Sequence, residues 1–111
     1  MPSADRSDLF PGALEMMILQ TLRRGPRHGY ELAQAIRRAS DELVHVEEGS
    51  LYPALQRMRQ KRWITAEWRQ TPNNQRARYY TITRAGRAAL GEQEAGFGAL
   101  IAAIQQVLRS T

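Results

Sequence analysis

The side chains of this 111-residue chain that can do chemistry are hydrogen-bond donors rather than nucleophiles. Sixteen Lys and Arg stand against eleven Asp and Glu, a net charge of +5, and the charge is unevenly placed. Residues 50–87 hold nine basic side chains, eight of them Arg, against one acid, Glu67, while the rest of the chain is mildly acidic. A basic centre between acidic flanks is the footprint of contact with a polyanion. The planar fork of Arg suits bidentate contact with phosphate or guanine better than Lys does. At the head of the block, residues 46–63 (VEEGSLYPALQRMRQKRW) carry Ser50, Tyr52, Gln56, Arg57 and Gln60. Gln56 can pair bidentately with adenine, and Arg57 with guanine or a phosphate. The hydroxyls of Ser50 and Tyr52 suit a phosphate at a helix start, and Gln60 and Arg59 can reach flanking backbone.

Other chemistries find little here. The chain has no Cys, which excludes disulfides and Cys-based zinc or redox sites, and its two His (His28, His45) show no metal-ligand spacing. No nucleophile–base pair or Gly-rich phosphate loop is present, so no catalytic residue, metal or cofactor is expected. No apolar run is long enough to span a membrane. The opening MPSADRSDLF lacks a secretory hydrophobic region, so the expected location is cytoplasmic, with no membrane partner.

Elements must position the donors. Residues 1–8 read as a disordered tail, and Leu9-Phe10-Pro11-Gly12 as an arm able to pack on apolar surface. Leu14, Met17, Ile18 and Leu22 place a helix over 13–24, stopped by Gly25-Pro26. A second helix covers 29–39, with His28 near its N-cap, Glu31 in its first turn and Arg37-Arg38 in its last. The connector 40–49 holds Leu43, Val44 and Val46, enough for a short extended piece. In the third helix Ser50 reads as the N-cap and Pro53 as a first-turn residue. Leu51, Leu55 and Met58 span about 60° of its wheel, which turns Gln56, Arg57 and Gln60 outward.

Ile64/Ala66/Trp68 alternate with Thr65/Glu67/Arg69 in a strand, a polar turn follows at 71–76, and 77–83 returns. Trp63 and Trp68 both sit on apolar phases and are expected in the core, with Tyr80 inside and Tyr79 outside. Asn73, Asn74, Gln75 and Arg76 form the tip, placed to lie over a minor groove or its phosphates. Tyr30, at the start of the second helix, is a candidate phosphate contact. Three helices and a hairpin in this order make a mainly α chain with a small β-hairpin: a winged helix-turn-helix over 9–83. Thr83 then caps a helix over 84–111 whose Leu90, Phe97, Ile101, Ile104 and Leu108 form a heptad seam. Leu100 and Val107 widen that seam, and a helix this long past a small domain calls for a partner surface, most simply a second copy, the alternative being that it folds back on its own first helix.

Three blocks then stand as a pattern: His28-Gly29-Tyr30-Glu31-Leu32, Gly49-Ser50-Leu51-Tyr52-Pro53-Ala54-Leu55, and Arg78-Tyr79-Tyr80-x-Ile82-Thr83-x-Ala85-Gly86. Together they resemble the signature blocks of the PadR family of bacterial transcriptional regulators, over roughly residues 9–90. Val46-Glu47-Glu48-Gly49-Ser50, Ala66-Glu67-Trp68 and Asn73-Asn74-x-Arg76-Ala77 are similar to a subgroup common in Acidobacteria. The resemblance implies a homodimer joined through the C-terminal helix and first helix, with Leu14, Met17, Phe97, Leu100, Ile101, Ile104 and Leu108 at the interface. It implies operator DNA as partner, mostly in repression. It also implies, for some members, a small-molecule effector near the dimer interface, although no Trp stands on the last helix here to stack an aromatic one.

The readings from other classes are a winged-helix protein-interaction module and a non-specific nucleic-acid binder. The basic outer face of the third helix argues against the first, and the lack of a broad sheet with exposed aromatics against single-strand binding. The seam yields a direct expectation. Ile101→Asp should convert the protein to a monomer in sedimentation and weaken duplex binding severely; a variant that stays dimeric would mean the seam lies elsewhere.

Overall fold

A computed structural model describes residues 12–110; the expected tail and the Leu9-Phe10 arm lie outside them. The element order is α1 (Ala13–Leu22), β1 (Arg27–His28), α2 (Gly29–Ala39), α3 (Glu48–Gln60), β2 (Ile64–Gln70), β3 (Arg76–Ile82) and α4 (Arg84–Arg109). This is the expected mainly helical winged helix-turn-helix with one long last helix, refined in four places. The hairpin is part of a three-stranded antiparallel sheet, ordered β1-β3-β2, because Arg27 and His28 pair with Tyr80 and Tyr79. A two-residue strand gives no alternation to read, so only its pairing reveals it. α1 ends two residues early, with Arg23 as its C-cap. The connector holds no strand: Asp41 and Glu42 take positive φ of 53° and 68°, which turns the chain sharply and leaves Leu43 exposed.

The fourth difference concerns α3. It opens at Glu48 with Glu47 as N-cap, so Ser50 is inside the first turn and caps nothing. Pro53 falls beyond the first turn, within the helix. Its ring has no N–H to give the Gly49 carbonyl, an omission the helix tolerates because Gly49 is exposed. The Glu47 carbonyl accepts from Ser50 and Leu51 N–H at 3.0 and 2.9 Å. Glu48 supplies negative charge at the positive end of the helix.

α2 starts as its sequence implies. His28 Nδ1 accepts from the Glu31 N–H, and Glu31 Oε1 accepts from the His28 N–H, both at 3.3 Å, a reciprocal capping box. The core is built by Ile18, Leu19 and Leu22 of α1, Leu32 of α2, Leu51, Leu55 and Met58 of α3, and Ile64 of β2, all essentially fully buried. α3 ends in a Schellman turn: Trp63 N–H donates to Met58 O at 3.0 Å and Arg62 N–H to Arg59 O at 2.9 Å. Arg62 holds the left-handed position at φ 64°.

The α3–β2 turn also anchors α4. Thr83 N–H donates to the Trp63 carbonyl at 2.9 Å. Thr83 Oγ1 accepts from Gly86 N–H at 3.0 Å and lies 2.7 Å from the Arg62 carbonyl. Gly86 packs so closely that a Cβ there would stand 2.2 Å from the Trp63 carbonyl oxygen. α4 buries only Gly86, Ala89 and Leu90 and then runs outward, giving overall dimensions of 57 × 33 × 21 Å. At Gly91 of the same helix a Cβ would meet nothing within 4 Å.

These two glycines should therefore respond oppositely. Gly86→Ala forces a methyl group against backbone and should lower stability by about 1–3 kcal/mol in urea unfolding. Gly91→Ala should raise it by up to about 1 kcal/mol through helix propensity. Equal effects at both positions would refute the close approach at Trp63.

Candidate nucleic-acid interface

α3 presents three faces. Leu51, Ala54, Leu55 and Met58 enter the core. Gln56 and Gln60 lie exposed on the opposite side with Gly49 and Pro53. Tyr52 occupies one flank, and Arg57 and the half-buried Ser50 the other. The Arg57 flank meets α1, where Arg57 Nη2 donates to Glu15 Oε2 at 3.2 Å. Glu15 keeps only 13 % of its side-chain surface, whereas Arg57 keeps 52 %. Arg57 thus has a partner within the fold that sequence reasoning missed, because the two lie 42 residues apart. Gln56 and Gln60 remain the unobstructed outer side chains.

On the other flank, α3, the start of α2 and the wing enclose a cleft of about 670 Å³. Tyr30, Tyr52, Asn73, Gln75 and Arg76 line it, so the structure gathers five expected side chains from three elements. Tyr30 is 69 % exposed and Tyr52 45 %. The Tyr52 hydroxyl lies against Gly29, where an added Cβ would come within 2.6 Å of it. Partial burial pushes the Tyr52 phenol above its ordinary range, with the Glu48 carboxylate and Tyr80 adding to the effect. The hydroxyl therefore keeps its proton and can donate throughout the neutral range.

The wing tip is more constrained than its sequence suggests. Asn74 holds φ 69° and accepts from Gln70 Nε2 at 2.6 Å, while Asn73 Oδ1 accepts from the Thr71 hydroxyl. Both amides shape the turn; Gln75 and Arg76 project from it, exposed.

Trp68 corrects an expectation. It is 57 % exposed rather than in the core, while Trp63 packs partly buried against the core and under Lys61 Nζ at 4.5 Å. Trp68 shares the face of Ile64 and Ala66, but four residues at about 3.3 Å each carry it beyond the helices that bury Ile64. It lies opposite Arg78 in the hairpin, and Arg76 and Arg78 both stack on its ring, with Cζ 5.2 and 5.7 Å from the centroid. Tyr80, on the same face nearer the helices, is buried as expected, and Tyr79 meets His28 edge-on at 5.3 Å. Aligning the two strands across the polar turn pairs Trp68 with Arg78, the signal that was available.

The expected interface residues divide. Leu14 is buried within its own protomer's core, which leaves it little surface for a partner. Met17 and Phe97 line an apolar groove of about 400 Å³ between α1, the end of α2 and α4, with Met16, Ile36 and Leu90. Leu100 borders a second groove, between the start of α1 and α4, which shares Met16 and Phe97 with the first. Ile104 and Leu108 are exposed, Leu108 at 72 %, and Ile101 is half-buried. Among the described residues no cluster of His, Asp and Glu could hold a metal, and no helix is long and apolar enough to cross a membrane.

Comparisons with known proteins agree with this geometry. Residues 18–92 match the model of the PadR-like family of transcriptional regulators. An uncharacterised protein of Lysinibacillus sphaericus is 33 % identical over 87 residues, covering 78 % of this chain and 80 % of that protein. A transcriptional regulator from Clostridium thermocellum superposes with a TM-score of 0.82 at 28 % identity, over 90 % of this chain and 97 % of that one. A PadR family regulator from Eggerthella lenta gives 0.78 at 28 % identity, over 94 % and 88 %. A PadR-like regulator from Bacillus cereus gives 0.77 at 28 % identity, over 95 % and 100 %. These matches are to the family as a whole and not to a subgroup of it.

The Glu15–Arg57 pair yields a prediction. Glu15→Gln removes the carboxylate that holds Arg57 and should tighten duplex binding several-fold at low salt, with a stability change of about 1 kcal/mol for a pair whose Arg57 is half exposed. In the Arg57→Ala background the same substitution should have far less effect. Equal gains in both backgrounds would show that Glu15 acts only through its charge.

Proposed function

The chain belongs to the PadR-like family of transcriptional regulators, and on that premise we propose that it is a sequence-specific repressor binding an inverted-repeat operator in double-stranded DNA as a homodimer. It is a regulator and not an enzyme. The observation that carries the reading is the continuous donor-rich face formed by the outer side of α3, the start of α2 and the wing.

In this reading α3 enters the major groove. Gln56 and Gln60 face base edges, as the free outer amides on a helix whose other side is fixed in the core. Ser50, Tyr52 and Tyr30 supply hydroxyls to flanking phosphates. Arg57 reaches DNA only by giving up Glu15, which makes it a phosphate or base contact of adjustable strength. Asn73 and Asn74 hold the wing turn in shape, and Gln75 and Arg76 carry its contact with the neighbouring minor groove or its phosphates.

The homodimer rests on α4. A helix of 26 residues that buries three of them in its own protomer leaves Leu100, Ile104, Val107 and Leu108 exposed along one side. Exposed aliphatics at helical spacing favour a mate of the same kind, and a second copy brings the identical surface. Met17, Phe97 and Ile101 would then join the interface, with Leu14 as support behind it. The groove beside Met17 and Phe97 is where an effector would sit, and its lining favours an apolar one.

Two-fold symmetry sets the test. A footprint over the region upstream of the protein's own gene should reveal two protected half-sites about one helical turn apart. Inserting about five base pairs between them should abolish tight binding, since it places the halves on opposite faces of the duplex. Equal affinity for the intact site, the split site and random duplex would reduce the function to non-specific binding. No shift of any duplex would favour a protein-interaction module.

A further inference from the structure

Among the described residues the large exposed apolar side chains sort into two groups and one outlier. Leu100, Ile104, Val107 and Leu108 are aliphatic and lie on α4, while Tyr30, Tyr52 and Trp68 are aromatic and surround the cleft; only Leu43 belongs to neither. The aliphatic group fits self-association. The aromatic group is interleaved with arginines, and that combination suits phosphate and sugar better than a protein core.

Four arginines around the recognition elements differ in whether a carboxylate holds them. Arg57 and Arg69 direct donors to carboxylates, at 3.2 Å to Glu15 and 2.8 Å to Glu67, and Arg69 also lies over the Tyr79 ring at 5.5 Å. Arg76 and Arg78 make no ion pair among the described residues and instead stack on one indole, at 5.2 and 5.7 Å. An aromatic face fixes a guanidinium without occupying its N–H groups, which stay free to bond an anion. The strand register builds this geometry: Arg78 is directly opposite Trp68, and Arg76 stands two residues earlier on the same face of β3. The two positive charges that would otherwise repel are thus held side by side at the cleft wall. Facing them across the cleft are the Tyr52 hydroxyl and the start of α2, the positive end of that helix.

We propose that Trp68 is a positioning residue of the DNA interface, whose ring holds Arg76 and Arg78 as a clamp for backbone phosphate in the cleft between the wing and the helix-turn-helix. The inference rests on the DNA-binding reading above and adds to it a defined phosphate seat and the residue that builds it. Trp68 needs no contact with a base: its role is to keep two guanidiniums ordered, at a place where neither has a carboxylate to do so. Arg78, half-buried and outside the wing tip, becomes a contact residue on this account.

Because phosphate contact is independent of sequence, the test needs no operator. Fluorescence anisotropy of the full chain on a random duplex of about 30 base pairs, over a series of salt concentrations, measures both affinity and the number of phosphate contacts. Trp68→Ala should lower the slope of log K against log salt by about one to two contacts and weaken binding about tenfold or more at roughly 0.1 M salt. Arg78→Gln should lower the slope by about one. Trp68→Phe keeps an aromatic face and should restore most of the slope, whereas Trp68→Leu, apolar but not aromatic, should not. Circular dichroism and melting of all four variants should match the wild type, since the ring is 57 % exposed. An unchanged slope in Trp68→Ala, or a Leu variant as good as Phe, overturns the proposal. A weaker Trp68→Ala with an unchanged slope overturns it too, by making the ring itself the contact. If any variant loses its fold, Arg78→Gln and Trp68→Phe decide by the same slopes. Wild-type protein that binds no duplex brings down the DNA reading itself, an outcome separable from loss of the clamp alone.

Discussion

The contact on which the molecule depends is the seat of α4 on the turn after α3. Thr83 and Gly86 meet the Arg62 and Trp63 carbonyls through three hydrogen bonds, two of them sharing the Thr83 hydroxyl, and a backbone approach that leaves no room for a side chain. Four elements converge at this point: α3 ends, β2 begins, β3 ends and α4 starts. The direction of the long helix is therefore set by the same few atoms that set the exit of the recognition helix and the root of the wing. In the proposed two-fold assembly the spacing of the two α3 helices would follow from where α4 points, and the junction would convert a local packing rule into a distance between half-sites. Arg62 adopts a left-handed conformation to complete this turn, a cost of about 1 kcal/mol that the convergence of four elements offsets.

A second organising constraint is how the positive charge is held. A strongly basic face destabilises a small fold through self-repulsion and leaves long side chains disordered. Here the charges are managed by distinct means. Arg57 and Arg69 are neutralised locally by Glu15 and Glu67, Lys61 lies over Trp63, and Arg76 and Arg78 share Trp68. Carboxylate pairs lower the local field and must open before those arginines can meet a phosphate. Rings leave the field and the donors intact. Arg76 and Arg78 of the wing thus keep their donors available to a polyanion, while Arg69 of the wing and Arg57 on α3 must first leave a carboxylate.

What is legible in the sequence is whatever depends on neighbours along the chain. The capping box at His28 and Glu31, the stripe Leu51/Leu55/Met58, the cap at Thr83 and the inward Tyr80 all follow from spacing within one element or one turn. The α3 start departs from expectation because Ser50 is a better intrinsic cap than Glu47, yet the helix as packed extends nearly one more turn. Trp68 departs from it because phase alone says which face a strand residue takes, not how far along that face the core extends. The Glu15–Arg57 pair and the β1–β3 pairing join residues far apart in sequence, and nothing local encodes them.

These long-range contacts give α1 a place in the mechanism that its sequence does not suggest. One side of α1 fills the core through Leu14, Ile18, Leu19 and Leu22. Another faces α4 through Met16 and Met17, at the apolar groove. The core side itself, in its first turn, holds Arg57 of α3 through Glu15. α1 therefore touches both the helix proposed to join two copies and the helix proposed to read DNA. Met17 at the groove and Glu15 at Arg57 thus sit on one helix whose core side is close-packed, so the two contacts share one rigid support.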